Sequence, residues 1–374
     1  MDNKIKILHM TPPIVTNGIY RYIFNVYEHI DKQKFQFDFL MSKPNELMKT
    51  PEWQKYHFNI RSFSTTQRED PQKFYQEIRS ILADGYDILQ LHTSFWRGFM
   101  IEEIAMEMKI KRVIVHSHSS DVDINGVEER RELKRKHEEL KSLFRDTLAT
   151  DFWACSQNAA DWLYGPQIPK EKIKILPNAI ELKKYEFSDK KRVEQRKKWN
   201  LGNAFVLGFV GRVEYQKNPF FIVEVFEKVI VNRPNSFLLM VGEGELYLDV
   251  RRLVREKGLE EKIIFTGWSN EIPDLLCAMD LCCVPSLFEG LGITVIEAQA
   301  NGLKCLVSEM IPDEECISDY VKKLPLDCKQ WTEEIGKFES NYKRIAPVEQ
   351  MQIAGYEINA YVKTLERLYC QTAN

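Results

Sequence analysis

The chain has 374 residues, more than one hydrophobic core usually serves, and its 44% apolar and 29% charged residues exclude disorder and favour two soluble domains. Its net charge is −3, and residues 1–184 carry 28 Lys and Arg against 26 Asp and Glu, which excludes nucleic acid as a main partner while leaving room for local contact with anionic lipid. The eight cysteines include no Cys-x-x-Cys pair and read as reduced core residues; with no leader pattern and no apolar stretch of about eighteen residues, a cytoplasmic location follows.

Apolar runs at 5–10, 35–41, 87–92, 112–116, 152–155 and 173–176 predict buried strands, and the helical patterns between them predict a parallel sheet. A helix over 128–145 mixes Arg130, Arg131, Lys134, Arg135, Lys136, Lys141 and Arg145 with Glu129, Glu132, Glu138 and Glu139. Mixed signs at helical spacing suit an exposed face, and docking on an anionic membrane is the alternative. The charged, apolar-poor stretch 181–200 marks a domain boundary. Strand patterns then resume at 205–210, 237–241, 263–266, 281–284 and 304–307, with helices over 220–231 and 246–257. We therefore expect two doubly wound α/β domains, 1–185 and 186–353, and a last helix within 354–374 that packs back on the first. Two such sheets facing each other would leave a deep cleft.

Open parallel sheets bind ligands beyond the carboxyl ends of their strands. The run 205–210 is followed by Gly211-Arg212-Val213-Glu214-Tyr215-Gln216-Lys217-Asn218-Pro219, which sets two cations at that edge. A diphosphate needs such a pair, although alone the two would suit a solvated turn. The run 281–284 is followed by Pro285-Ser286-Leu287-Phe288-Glu289-Gly290-Leu291-Gly292-Ile293-Thr294. Its glycines let the backbone approach a ligand, and a helix starting near Ile293 would turn free N–H groups and its positive dipole end toward it. Glu297, one turn into that helix, suits a ribose, and Glu289 would face the cleft.

The first half offers His116-Ser117-His118-Ser119-Ser120 at one strand end and His92 at the neighbouring one. Three histidines raise the question of zinc, but no Cys, Asp or Glu accompanies them at ligand spacing, and we expect no metal. Trp96 and Tyr20 suit an acceptor sugar or lipid and suit core packing equally.

Arg212 with Lys217 five residues on, Pro285-Ser286, and Glu289 with Glu297 resemble the retaining glycosyltransferases of family 4, which have the GT-B architecture of two Rossmann-like domains around a cleft. The resemblance also takes in Asn17-Gly18, Leu176-Pro177-Asn178, Val241-Gly242-Glu243-Gly244, Phe265-Thr266-Gly267, Ala278-Met279-Asp280 and Glu297-Ala298-Gln299-Ala300-Asn301-Gly302. It implies retaining, metal-independent transfer of a hexosyl unit from a nucleoside diphosphate sugar to a hydroxyl, with no cofactor, in capsular or exopolysaccharide assembly. A UDP-sugar is favoured over GDP-mannose, the acceptor being a sugar or lipid-linked saccharide reached at the inner face of the membrane.

By that resemblance Arg212 and Lys217 would hold the diphosphate, Glu297 the ribose, and the amides of Gly290, Leu291, Gly292, Ile293 and Thr294 the phosphates and sugar. Glu289 would lie against the transferred sugar, and Gly267, Trp268 and Ile272 would flank the base. Gly18 would close over the diphosphate, where a side chain would obstruct it. His118 would position the donor sugar and form the catalytic set with Glu289, Arg212 and Lys217. Asn218 and Ala179 stand where glycine is more usual. A nucleotide-sugar epimerase and a non-catalytic sugar-nucleotide-binding partner are the alternatives; the Glu289–Glu297 spacing argues against the first and the intact charged set against the second.

Overall fold

Thirteen strands among the described residues form two all-parallel sheets. They are β1 (Ile5–Met10), β2 (Phe35–Met41), β3 (Asn59–Ser62), β4 (Ile88–Thr93), β5 (Arg112–Ser117), β6 (Asp151–Ala154) and β7 (Ile173–Ile175), then β8 (Phe205–Val210), β9 (Ser236–Val241), β10 (Ile263–Gly267), β11 (Leu281–Val284), β12 (Cys305–Ser308) and β13 (Val321–Leu324). The computed structural model describes residues 4–12, 18–42, 44–339 and 342–371. Asn17, read with Gly18 as part of the family resemblance, lies outside them.

The chain divides into two units, Met1–Val122 with Arg131–Ala179 and Ile358–Asn374, and Asp123–Arg130 with Ile180–Glu357. The change at 179/180 falls six residues before the expected 185/186, and residues 123–130 group with the second unit rather than the first. The stretch 181–200 is also more than a boundary. Ser188 caps a helix over Asp189–Lys198, and Asp280 draws that helix onto the second sheet through Arg192 at 2.6 Å and Arg196 at 3.4 Å. A helix rich in Lys and Arg is thereby fixed by polar bonds, Arg192 and Arg196 donating also to the Met279 and Ala278 carbonyls, rather than by an apolar stripe.

The first sheet has the order β3-β2-β1-β4-β5-β6-β7. Its inner strands are buried along almost their whole length because helices cover both faces, which is why they read as unbroken apolar runs. On one side, Ile7, Phe37, Ile88, Ile114 and Trp153 form a core with Tyr22 and Ile23 of the helix Gly18–His29 and with Ile358, Tyr361 and Leu365 of the helix Ile358–Cys370. The Tyr22 and Tyr361 hydroxyls lie 2.9 Å apart, and the Tyr369 hydroxyl donates to Gln90 at 2.7 Å.

The second sheet has the order β10-β9-β8-β11-β12-β13. On one face Leu207, Phe209, Leu238, Met240, Cys283 and Leu306 form a core closed by Val223, Phe226, Val250 and Trp331. Strand order reverses between β1 and β4 in one sheet and between β8 and β11 in the other, and each reversal opens a crevice at the strands' carboxyl ends.

Five cysteines are buried, but Cys316 and Cys328 are half-buried and Cys370 is exposed, so the expectation of core residues holds only for the five. Tyr20 and Trp96 belong to the core: the Tyr20 hydroxyl lies 2.5 Å from Thr11 Oγ1 and donates to the Pro12 carbonyl, while Trp96 Nε1 donates to the Leu163 carbonyl. On the helix Val127–Leu143, Lys136 pairs with Glu132 and Arg135 with Glu139, the pattern of a solvated face. Among the described residues no helix is long and apolar enough to cross a membrane.

Candidate functional site

In the second unit the polypeptide leaves β8 through Gly211, at φ +150°, and makes a short 3-10 turn over Tyr215–Lys217. Asn218 follows at φ +52°, which explains why glycine is more usual there; asparagine is among the few side chains that tolerate this region. Pro219 then opens the helix Pro219–Asn232. The turn is packed backbone against backbone: a Cβ added to Gly242 would collide with the Gly211 carbonyl oxygen. The Gly242 amide in turn donates to the Gly267 carbonyl at 2.9 Å, so the ends of β8, β9 and β10 are stitched together.

Arg212 and Lys217, the two expected diphosphate ligands, both carry carboxylates. Arg212 donates to Asp123 at 2.8 Å and also pairs with Glu214. Lys217 Nζ lies 2.5 Å from Glu289 Oε1, and Gln216 Nε2 donates to the other oxygen of Glu289 at 3.1 Å. The Leu287 amide donates to the Gln216 carbonyl at 2.8 Å, joining the turn after β8 to the turn after β11. The structure thus brings Arg212, Lys217 and Glu289 together at the point where strand order reverses. Burial holds the Glu214 carboxyl up, to about 7, against the pull of Arg212.

Beyond Glu289, the helix Ile293–Ala300 is expected to offer free amides. Instead the Gly292 amide donates to Glu315 Oε1 at 2.6 Å and the Ile293 amide to the Leu291 carbonyl. A Cβ on Gly292 would meet Glu315 Oε2 at 2.7 Å. Glu315 is fully buried, and burial, with the Glu289 charge adding to it, pushes its carboxyl up to about 8. It is therefore protonated at neutral pH, and Oε2 has no hydrogen-bond partner among the described residues. Thr294 caps the arrangement through a bond to the Val210 carbonyl at 3.3 Å. Glu297 is buried rather than open to solvent, and the Tyr185 hydroxyl donates to its Oε1 at 2.8 Å.

The residues expected beside a base follow β10, two strands from β8 at the same carboxyl edge. Gly267 ends β10 at φ +69°, Trp268 beyond it is exposed, and Ile272 is buried at the start of the helix Ile272–Ala278. Sequence reasoning missed Asp123, Gln216, Glu315 and Tyr185. Asp123 and Tyr185 lie far from the motif in sequence, and Glu315 hides in Asp313-Glu314-Glu315, which looks like surface charge.

In the first unit the strand ends gather imidazoles. His9 on β1, His92 on β4 and His118 after β5 form a chain, with His9 Nδ1 to His92 Nε2 at 3.0 Å and His92 Nδ1 to His118 Nε2 at 2.9 Å. His116 sits beside them, its Nδ1 3.2 Å from Gln90 Nε2. Burial lowers all four: His9 and His118 to about 3, His92 and His116 well below the usual imidazole value. They are neutral, and each neutral ring has one donor and one acceptor nitrogen, so the chain must run in one direction. His92, His116 and His118 each offer a nitrogen within 4.8 Å of the others, a grouping that could hold a metal. Both His92 nitrogens are, however, committed to His9 and His118, and a metal would have to displace one of those bonds. Gly18 begins the helix Gly18–His29, and a Cβ there would meet no atom of the described residues within 4 Å.

Two family models match this chain: Glycosyltransferase Family 4 over residues 16–184, and Glycosyl transferases group 1 over residues 191–354. The chain belongs to glycosyltransferase family 4. Among the relatives of this family 4 chain, EpsF of Bacillus subtilis (strain 168), which bears the name of a glycosyltransferase, is 24% identical over 97% of this chain and 96% of its own length. The UDP-Gal:alpha-D-GlcNAc-diphosphoundecaprenol alpha-1,3-galactosyltransferase of Escherichia coli is 26% identical over 82% of this chain and 80% of its own. In fold, the family 4 chain is similar to Anabaena Alr3699/HepE, solved with UDP and glucose, at a TM-score of 0.73 and 15% identity over 97% and 99% of the two chains. It is similar also to WaaG, a glycosyltransferase involved in lipopolysaccharide biosynthesis, at a TM-score of 0.71 and 16% identity over 98% and 100%. These neighbours give the GT-B fold, and family membership makes the chain a glycosyltransferase.

Proposed function

We propose that this glycosyltransferase transfers a hexosyl unit from a UDP-sugar to a hydroxyl of a sugar or lipid-linked saccharide, with retention and without a metal, during assembly of a cell-surface polysaccharide. The observation that carries the reading is the pairing of Arg212 and Lys217 in one turn at the reversal of the second sheet, beside the glycine turn that holds Glu289. Departure of the diphosphate is the difficult step, and two fixed cations in a buried turn stabilise the charge that develops on it. Lysine and arginine supply what a divalent ion would supply in a metal-dependent transferase. Glu297, oriented by Tyr185, is the ribose ligand of this reading. The name of the undecaprenol-linked galactosyltransferase supports a lipid-linked saccharide acceptor and a UDP-sugar donor, and that of WaaG a role in surface-polysaccharide assembly.

The test is titration of the purified protein with UDP-glucose, UDP-galactose, UDP-N-acetylglucosamine and GDP-mannose in the presence of a chelator, following binding and slow donor hydrolysis. One donor should bind and release its diphosphate. The anomeric configuration of the product, read by proton NMR coupling, then decides retention, and loss of activity with the chelator would refute metal independence.

A further inference from the structure

Each cation of the donor turn already carries a carboxylate, and one of these carboxylates differs from the rest. Asp123 belongs to the short segment Asp123–Arg130 that folds with the second unit. Its Oδ2 accepts from Arg212 Nη2 at 2.8 Å, and its Oδ1 accepts from the Gln216 backbone N–H at 3.1 Å. A carboxylate that takes a guanidinium N–H with one oxygen and a main-chain N–H of the same turn with the other uses the donors a phosphate group would use. Glu214 also holds Arg212, and Glu289 holds Lys217. Two cations therefore face the carboxylates of Asp123 and Glu289 and the Glu214 carboxyl, held up to about 7, and a diphosphate cannot simply be added to such a cluster. It must replace one of them.

The three differ in how firmly they are held. Glu289 is buried and bonded to both Lys217 and Gln216, and Glu214 lies two residues from Arg212 in the same turn. Asp123 comes from a separate segment; besides a side-chain contact of Asp123 with Glu214, its ties to this unit include the guanidinium of Arg130 over the Tyr215 ring at 3.7 Å and an exposed bond from Asn125 to Glu245 at 2.6 Å. Arg130 also donates to the Ile124 carbonyl at 2.7 Å, which keeps the segment folded on itself. One cation–π contact and one exposed hydrogen bond are weak ties, so the segment can leave without disturbing the sheet.

We propose that Asp123 occupies the seat of a donor phosphate on Arg212 and Gln216, and that donor binding displaces it. Asp123 is then a residue that sets donor affinity: it keeps Arg212 aimed and paired until a donor arrives, and it opposes every ligand that carries less charge than a diphosphate. The inference rests on the reading of Arg212 and Lys217 as diphosphate ligands.

The test is calorimetric titration of the full chain with UDP, chelator present, for the wild type and for Asp123→Asn, Asp123→Ala and Arg130→Ala. Removing the competing charge should tighten UDP binding about tenfold in both Asp123 variants. Arg130→Ala, which loosens the segment but leaves every phosphate ligand in place, should tighten it by a smaller factor in the same direction. Melting temperatures establish that each variant is folded. A wild type that binds UDP while Asp123→Asn binds it equally or more weakly overturns the displacement and leaves the donor site standing. If neither the wild type nor the Asp123 variants bind UDP or GDP, the diphosphate reading of Arg212 and Lys217 fails, and this inference falls with it. Binding by the Asp123 variants alone would show the competition at its strongest.

Discussion

Lys217 Nζ and Glu289 Oε1 lie 2.5 Å apart with side chains 14% and 3% exposed, so each is the condition for the other's burial. Removing one partner of such a pair strands the other, at a cost of about 3–5 kcal/mol, whereas replacing both costs far less. Lys217→Ala should therefore lose both UDP binding and stability. The double variant Lys217→Met with Glu289→Gln should be more stable than Lys217→Ala while still failing to bind. Urea denaturation of the wild type, Lys217→Met, Glu289→Gln and the double variant measures the coupling; additive effects would show that the pair stabilises nothing.

Gly242 and Gly18 should respond in opposite ways to alanine. At Gly242 the φ of +132° and the Gly211 carbonyl oxygen against the added Cβ leave no room, and Gly242→Ala should cost on the order of 2–4 kcal/mol. At Gly18, where nothing among the described residues lies within 4 Å of an added Cβ, Gly18→Ala should leave stability unchanged or raise it by about 0.5 kcal/mol. Thermal melts of the two variants beside the wild type measure both effects.

The buried strands were legible because a strand covered on both faces has no reason to alternate, and runs such as Val206-Leu207-Gly208-Phe209 announce themselves. The edge strands β3, Asn59-Ile60-Arg61-Ser62, and β13, Val321-Lys322-Lys323-Leu324, were not, because neither is buried along its length and the sequence carries only a short polar pattern. Arg212, Lys217 and Glu289 could be found because they cluster in two motifs at strand ends. Their counter-charges could not: Asp123 lies 89 residues before Arg212, and Glu315 comes to Gly292 from another strand end 23 residues on. Burial, which turns Glu315 from a surface acid into a neutral hydrogen-bonding group, is a property of the packed sheet and has no local signal.

Acid should unfold the first unit through its imidazoles. His9 and His118 sit at about 3 in the folded chain against 6.5 when unfolded, so above 6.5 both states are neutral and the stabilisation is complete. As pH falls from 6.5 toward 3 the unfolded chain takes up protons the folded one refuses, and stability is lost at about 1.4 kcal/mol per pH unit for each such group. His9→Gln should flatten the pH dependence of stability between 6.5 and 4.5, above the range in which carboxylates with ordinary values titrate. A denaturation series across that window that shows equal slopes for the wild type and His9→Gln would mean that His9 is hydrated and not buried.

Glu315 should act at the other end of the scale. Its carboxyl is raised from 4.5 to about 8 by burial and by the neighbouring Glu289 charge, so its contribution is fully present below 4.5 and declines as pH rises toward 8. Between those values the folded chain holds a proton that the unfolded chain has released. Above 8 both have lost it and the curve levels. Glu315→Gln keeps an oxygen to accept the Gly292 amide at 2.6 Å but cannot ionise, so its stability relative to the wild type should climb from pH 4.5 to 8 and then stay constant. Glu214, raised to about 7, titrates in the same direction and is present in both proteins, so the difference between the two curves isolates Glu315. Glu315→Ala strands the Gly292 amide and should cost about 1–3 kcal/mol even where the carboxyl is neutral. Guanidinium denaturation of the three proteins from pH 5 to 9 provides the test. A Glu315→Gln difference that does not change with pH would mean that the carboxylate is ionised in the fold and that the Gly292 turn is held by a charge rather than by a neutral acid.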